Sequence, residues 1–248
     1  MSAGVGNLQG DPAMRIKGFI DTSFVDWDGK IASVVFVPAC NFRCPFCFNY
    51  RLILHPEKYP DVPDPVIFGF LGRNRDFVDG VCISGGEPTI ARGLEDFCRK
   101  AIDLGMKVKL DTNGSNPRVL RRLASEGLIQ YVAMDIKAPP DDRSYGRATG
   151  LGAKGALSRV RESASFLIES GIEHEFRTTV VPGMHSERDI EEIARWIRGT
   201  RAYVLQKFQP ENAWSRSLRG LPTQGDDEME RLANAARKHL REVRWRGR

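Results

Sequence analysis

The chain has 248 residues, of which 41% are hydrophobic and 28% charged, with a formal net charge of +5. That length can bury one large core, and the composition is that of an ordinary globular protein, not a disordered or fibrous one. No apolar run approaches the ~18 residues a membrane span needs, and Met1 to Pro12 lacks both a basic start and a hydrophobic stretch, so neither a span nor a signal peptide is expected.

Along the chain, residues 1–14 read as a flexible N-terminus, and residues 15–248 as a single core domain with a C-terminal helix and a short basic tail. Strands are expected at Ile31–Val37, Gly80–Ser84, Lys107–Asp111, Tyr131–Asp135, His174–Val180 and Ala202–Gln206. Amphipathic helices are expected between them, at Asp64–Asn74, Gly93–Leu104, Pro117–Glu126, Lys154–Ser170 and Ser186–Arg198. Asn116 before Pro117 suits a helix start, and Gly127 and Gly171 suit helix ends. Such strand-helix alternation indicates βαβ units on a parallel sheet, here a partial (β/α)6 TIM-like barrel. In that fold the loops after the strand C-termini build the site, and every chemically loaded motif falls on one of them.

Three of the five cysteines, Cys40, Cys44 and Cys47, stand at Cys-x3-Cys-x2-Cys spacing just after the first of these strands. Clustered thiols without a framework of pairs fit a reducing cytoplasm and metal binding. Three thiolates on so short a loop can converge on one soft metal centre, yet a closed structural zinc site takes four protein ligands. Completion by His55 or Cys82 as a zinc knuckle, or three incidental core cysteines, are the alternatives. A four-iron cluster usually has four cysteine ligands, so three would leave one iron open to another molecule. Phe46 would shield such a centre. Cys82 and Cys98 read as small core residues.

After the next strand comes Ser84-Gly85-Gly86-Glu87-Pro88-Thr89. The two glycines would let a ligand lie against the backbone, and the carboxylate could accept from an ammonium; a plain turn is the alternative. There is no Gly-Lys-Ser/Thr, so this is not a phosphate loop. Asp111 and Asn113, at a strand end, could take ribose hydroxyls or a small cation. Asp135 and Lys137, two apart, would share one face of a strand.

Cys40-x3-Cys44-x-Phe46-Cys47 followed by Gly85-Gly86-Glu87-Pro88 closely resembles the radical S-adenosylmethionine enzymes, from about Lys17 to Pro210. Asp111-Thr112-Asn113-Gly114, Met134-Asp135-Ile136-Lys137 and Val180-Val181-Pro182-Gly183 narrow the resemblance to activating enzymes of glycyl-radical proteins. The nearest branch is the anaerobic ribonucleotide reductase activase, with pyruvate formate-lyase activating enzyme as a close relative. The resemblance implies a [4Fe-4S] cluster on Cys40, Cys44 and Cys47. Its open iron would take S-adenosylmethionine, whose reductive cleavage gives methionine and a 5′-deoxyadenosyl radical that abstracts hydrogen from a partner's glycine. Gly85, Gly86, Glu87, Asp111, Asn113, Lys137 and Arg177 would bind the cosubstrate. Asp111, Thr112 and Asp135 would hold a monovalent cation, and a low-potential donor such as ferredoxin or flavodoxin would supply the electron.

Departures from the pattern are Phe48 and Gln209, where relatives carry His, and Asp26-Trp27-Asp28-Gly29, where many have Pro before Gly. Rival readings are the same chemistry on a small molecule, nucleoside or tRNA, and an iron-sulfur electron carrier or metal-binding module. Much of the basic excess lies in Arg237, Lys238, Arg241, Arg244, Arg246 and Arg248, interleaved with apolar residues as on a solvated helix and strand. No recognition helix or RNA-binding signature accompanies it, so nucleic acid is not an expected partner.

Overall fold

In the computed structural model, residues 13–151 and 156–247 are described. Most of the expected flexible terminus, 1–12, and the first residues of the helix expected from Lys154 lie outside them. Met14 is already part of the core, just before the boundary expected at residue 15.

Eight strands form one sheet in chain order: β1 (Gly18–Ser23), β2 (Ala32–Val37), β3 (Gly80–Gly85), β4 (Lys107–Thr112), β5 (Tyr131–Asp135), β6 (Glu173–Val180), β7 (Tyr203–Lys207) and β8 (Val243–Arg246). The pairing of β1 with β2 is antiparallel; every later neighbour is parallel. Strands β2 to β7 are the six expected, and β1 and β8 extend the sheet at either edge. The helices are α1 (Tyr50–Leu54), α2 (Asp64–Arg73), α3 (Leu94–Asp103), α4 (Pro117–Ser125), α5 (Asp142–Thr149), α6 (Ala156–Ser170), α7 (Glu187–Trp196) and α8 (Asp226–Arg237).

Alternation along the parallel strands explains the layering. On β3, Val81 and Ile83 join the apolar core shared with the helices; on β4, Val108 and Leu110 do the same. Cys82, Ser84, Lys109 and Asp111 therefore face the opposite side, the interior of the curved sheet. Gly127 and Gly171 adopt left-handed φ values of 68° and 74° just beyond α4 and α6, as expected of helix-ending glycines. Ser186 caps α7 through a reciprocal capping box with Asp189.

The β1–β2 loop lies across the N-terminal end of the barrel. Lys109 donates to the Asp26 carbonyl at 2.6 Å, and Trp27 packs 5.8 Å from Tyr131 at the start of β5. A Cβ at Gly80 would come within 2.9 Å of Trp27, so glycine lets the indole seat there. From the other edge, Arg244 on β8 pairs with Asp28 in this loop and at 2.9 Å with the buried Glu175. Arg246 reaches Asp28 at 3.9 Å and Glu175 at 3.7 Å. Two arginines expected on a solvated basic face thus make ion pairs that join the two sheet edges beneath the barrel.

Candidate active site

The cysteine loop leaves β2 through Ala39, a non-glycine residue with φ 68°. It packs directly on the loop after β3: Gly86 N–H donates to the Val37 carbonyl and Glu87 N–H to the Ala39 carbonyl, both at 2.9 Å. A Cβ on Gly86 would sit 1.8 Å from the Ala39 oxygen, and one on Gly85, at φ 107°, would sit 2.5 Å from the Val37 oxygen. The paired glycines are required by this contact between two loops. Asn49 adds a 2.8 Å hydrogen bond to the Gly85 carbonyl.

Around the sulfurs, Phe42 N–H lies 3.4 Å from Cys40 Sγ and Asn113 Nδ2 lies 3.8 Å from it. Asn113 is held by Asn41 Oδ1 at 2.9 Å and by Ser115 N–H. Phe46 is buried between the Lys137 ammonium and the His185 ring. Burial pushes the Cys40 thiol up to about 11 and Cys44 up to about 12, and raises Cys47 as well, although Lys137 opposes the rise at all three. Without metal these are neutral thiols, so ligation must release their protons.

This donor set fits an iron-sulfur cluster held by three cysteines. Among the described residues no three His, Cys, Asp or Glu side chains are gathered to hold a single ion, as a zinc knuckle would require. His55 is exposed and pairs with Glu57 at 3.2 Å, while Cys82 is buried inside the barrel 3.9 Å from Lys109. Cys98 is packed in the core from α3. Backbone and amide N–H groups directed at Cys40 suit a thiolate ligand.

Below the loops, alternating charges line the interior. Lys109 contacts Asp111 at 2.9 Å, and Asp111 contacts Arg177 at 3.3 Å. Arg177 then contacts Asp135 at 2.9 Å, and Asp135 contacts Lys137 at 2.8 Å. Ser84 donates to Asp111 at 3.0 Å. Burial alone would raise the Asp111 carboxyl, but Arg177 and Lys109 outweigh it and hold the group well below the usual carboxylate range. Burial would lower Lys137, but the Asp135 carboxylate holds it above its ordinary value. Three cations face two carboxylates, so the series carries one unmatched positive charge.

Two of the expected site groups are engaged within the chain. Glu87 is not turned to a ligand: wholly buried, its Oε1 accepts from Thr89 N–H at 3.1 Å, from the Thr89 hydroxyl at 2.5 Å and from the Thr112 hydroxyl at 2.7 Å. Its Oε2 accepts from Asn113 N–H at 2.7 Å. These contacts tie the β3 and β4 loops together from inside the protein. Asp111, Thr112 and Asp135 are also not gathered as a cation site, because ammonium and guanidinium groups already occupy both carboxylates and the Thr112 hydroxyl is engaged by Glu87. Lys109 was missing from the expected residues, although its place two before Asp111 on a strand put it on the same face. His185, between Val181 N–H at 2.9 Å and the Lys137 carbonyl at 3.0 Å, carries its proton on Nε2 and fastens the β5 and β6 ends.

The chain is similar to known proteins in sequence and in fold. Residues 34–197 match the radical SAM superfamily, and the chain belongs to that family of iron-sulfur, S-adenosylmethionine-using enzymes. It is 31% identical over 92% of its length to a Methanocaldococcus jannaschii protein described provisionally as a glycyl-radical enzyme activating enzyme, and covers 94% of that protein. A second protein of that organism, with the same provisional description, is 26% identical over 71% of this chain and 65% of its own length. In fold the chain is similar to the crystal structure of a radical SAM methyltransferase from Sphaerobacter thermophilus. The TM-score is 0.66 at 17% identity, with 91% of this chain and 68% of that one covered.

Proposed function

We propose that this protein generates a glycyl radical on a partner protein, of the anaerobic ribonucleotide reductase type. The observation that carries the reading is the likeness to a glycyl-radical activating enzyme, which extends over nearly the whole of both chains. The open sheet supports it, because β1 and β8 are edges and do not pair with each other, which suits a polypeptide substrate. When bound, the cluster and S-adenosylmethionine supply a 5′-deoxyadenosyl radical that takes a hydrogen atom from the substrate.

Cys40, Cys44 and Cys47 would hold the cluster, with Phe46 keeping water from it. The Gly85-Gly86 backbone would border the methionyl group, and the Asp111 to Lys137 series would receive its carboxylate. One unmatched positive charge at that position favours an anion. Asn113 would position Cys40 rather than contact ribose. A monovalent cation is not required by this arrangement, since protein cations already neutralise Asp111 and Asp135.

The test is anaerobic incubation of the reduced, reconstituted protein with S-adenosylmethionine and a glycyl-radical protein from the same host. The expected result is a glycine-centred doublet in the electron paramagnetic resonance spectrum together with 5′-deoxyadenosine. Formation of 5′-deoxyadenosine without a protein radical, against every glycyl-radical protein of the host, would overturn the assignment of substrate.

A further inference from the structure

Asn113, on the loop after β4, reaches across to the cysteine loop, and every hydrogen-bonding group of its side chain has a partner there. The residue is 5% exposed. Its Oδ1 accepts from Ser115 N–H at 2.9 Å. Its Nδ2 carries two hydrogens: one goes to Asn41 Oδ1 at 2.9 Å, and the other is directed at Cys40 Sγ, 3.8 Å away. Asn41 is held in turn by the Ser115 hydroxyl, which accepts from its Nδ2 at 2.7 Å. Asn41, Asn113 and Ser115 thus close a ring. Reversing the Asn113 amide would set oxygen against oxygen at Asn41 and donor against donor at Ser115, so the network itself assigns the nitrogen to the sulfur side. The backbone is pinned as well, because Asn113 N–H donates to Glu87 Oε2 at 2.7 Å.

Cys40 therefore faces two N–H groups, the Phe42 amide at 3.4 Å and the Asn113 side chain. The first comes with the turn of the cysteine loop, whatever side chains fill it. The second is brought from 73 residues away and depends on the residue at position 113. A cysteine sulfur on an iron-sulfur cluster gains negative charge when the cluster is reduced. A buried N–H directed at it then favours the reduced form over the oxidised one.

We propose that Asn113, acting through Cys40, raises the reduction potential of the cluster and so eases entry of the electron that the reaction consumes. The proposal rests on Cys40 being a cluster ligand. One electron passes from a low-potential one-electron donor, which is oxidised, to the cluster, which is reduced; no bond forms or breaks and no proton moves.

The test is an anaerobic redox titration of the reconstituted protein, read from the electron paramagnetic resonance signal of the reduced cluster. Asn113→Leu removes the donor and keeps a side chain of similar size. At the wild-type midpoint its ratio of reduced to oxidised cluster should fall about tenfold, which is ~59 mV for a one-electron couple. Asn116→Ala is the control, since Asn116 secures the same loop by donating to the Thr89 carbonyl at 3.0 Å and not to a sulfur. Its midpoint should match wild type. Wild-type protein carrying 15N at its asparagine side-chain amides should show a nitrogen hyperfine coupling to the reduced cluster, and labelled Asn113→Leu should lack it. That measurement decides the matter even where the leucine variant takes up no cluster.

An unchanged midpoint in Asn113→Leu, an equal shift in Asn116→Ala, or no nitrogen coupling in labelled wild type would overturn the role of Asn113 and leave Cys40 as a ligand. Wild-type protein that takes up no cluster would refute the ligand reading on which the proposal rests.

Discussion

Glu87, on the loop after β3, accepts a 2.7 Å hydrogen bond from the Thr112 hydroxyl at the end of β4. The loop that borders the cysteines is thereby tied to the next strand by a buried carboxylate that touches only its own chain. Glu87→Ala leaves the Thr89 and Asn113 amides and two hydroxyls without their acceptor. It should cost about 3–5 kcal/mol of stability. Glu87→Gln keeps one acceptor but turns an NH2 toward donors, so its melting temperature should fall between those of wild type and Glu87→Ala in thermal denaturation.

Arg177 bridges two buried carboxylates, Asp111 and Asp135. Arg177→Met should destabilise the fold by about 1–3 kcal/mol, since Asp111 and Asp135 each lose one of two cationic partners and keep only a lysine. Adding Asp135→Asn should recover part of that loss. Urea denaturation of both variants measures the coupling, and strict additivity would show that the two groups act separately.

Cys44→Ala should lose most of the iron, sulfide and charge-transfer absorbance of the reconstituted protein. Cys98→Ala, in the α3 core, should keep them at a packing cost of about 1–2 kcal/mol. Equal loss of cluster from both would refute the ligand assignment.

Gly86→Ala drives a methyl group into the Ala39 carbonyl, a backbone atom that cannot turn aside. The two loops must separate, at about 3 kcal/mol or more. S-adenosylmethionine affinity, measured by equilibrium dialysis, should fall with it.

Burial lowers the His185 imidazole below its ordinary value, despite hydrogen bonds to Val181 and Lys137 that oppose the shift. The unfolded chain then binds a proton more readily than the folded one. The stability this linkage contributes is complete above the unfolded value of about 6.5 and is lost as pH falls toward the folded value. His174 shifts in the same direction, so the quantity to measure is the difference between wild type and His185→Gln in melting temperature from neutral pH to about pH 5.5. A difference independent of pH would contradict this protonation state.

Strands β2 to β7 were legible because each is a short apolar run buried on a helix-covered face. Strand β1 was not: Gly18–Ser23 is a half-exposed edge of mixed polarity, recognisable only from its antiparallel pairing with β2. Helix α5 was hidden because Asp142–Thr149 is polar and contains Gly146; only the Asp141 cap, which accepts from Ser144 N–H, marks its start. The cysteines could be read as ligands because their spacing is local. What Glu87 and Thr112 bond to depends on a contact across 25 residues, and no sequence pattern specifies it.

The plug formed by Asp26, Trp27 and Asp28 has a consequence for any radical made above it. With the indole seated under β3 to β5 and the β8 arginines drawn to Asp28, the base of the vessel is closed, which leaves the rim that carries the cysteines and the open side between β1 and β8. A reactive intermediate would then escape only past the docked substrate. Loosening the floor by Trp27→Ala should raise the share of turnovers in which S-adenosylmethionine is consumed without product.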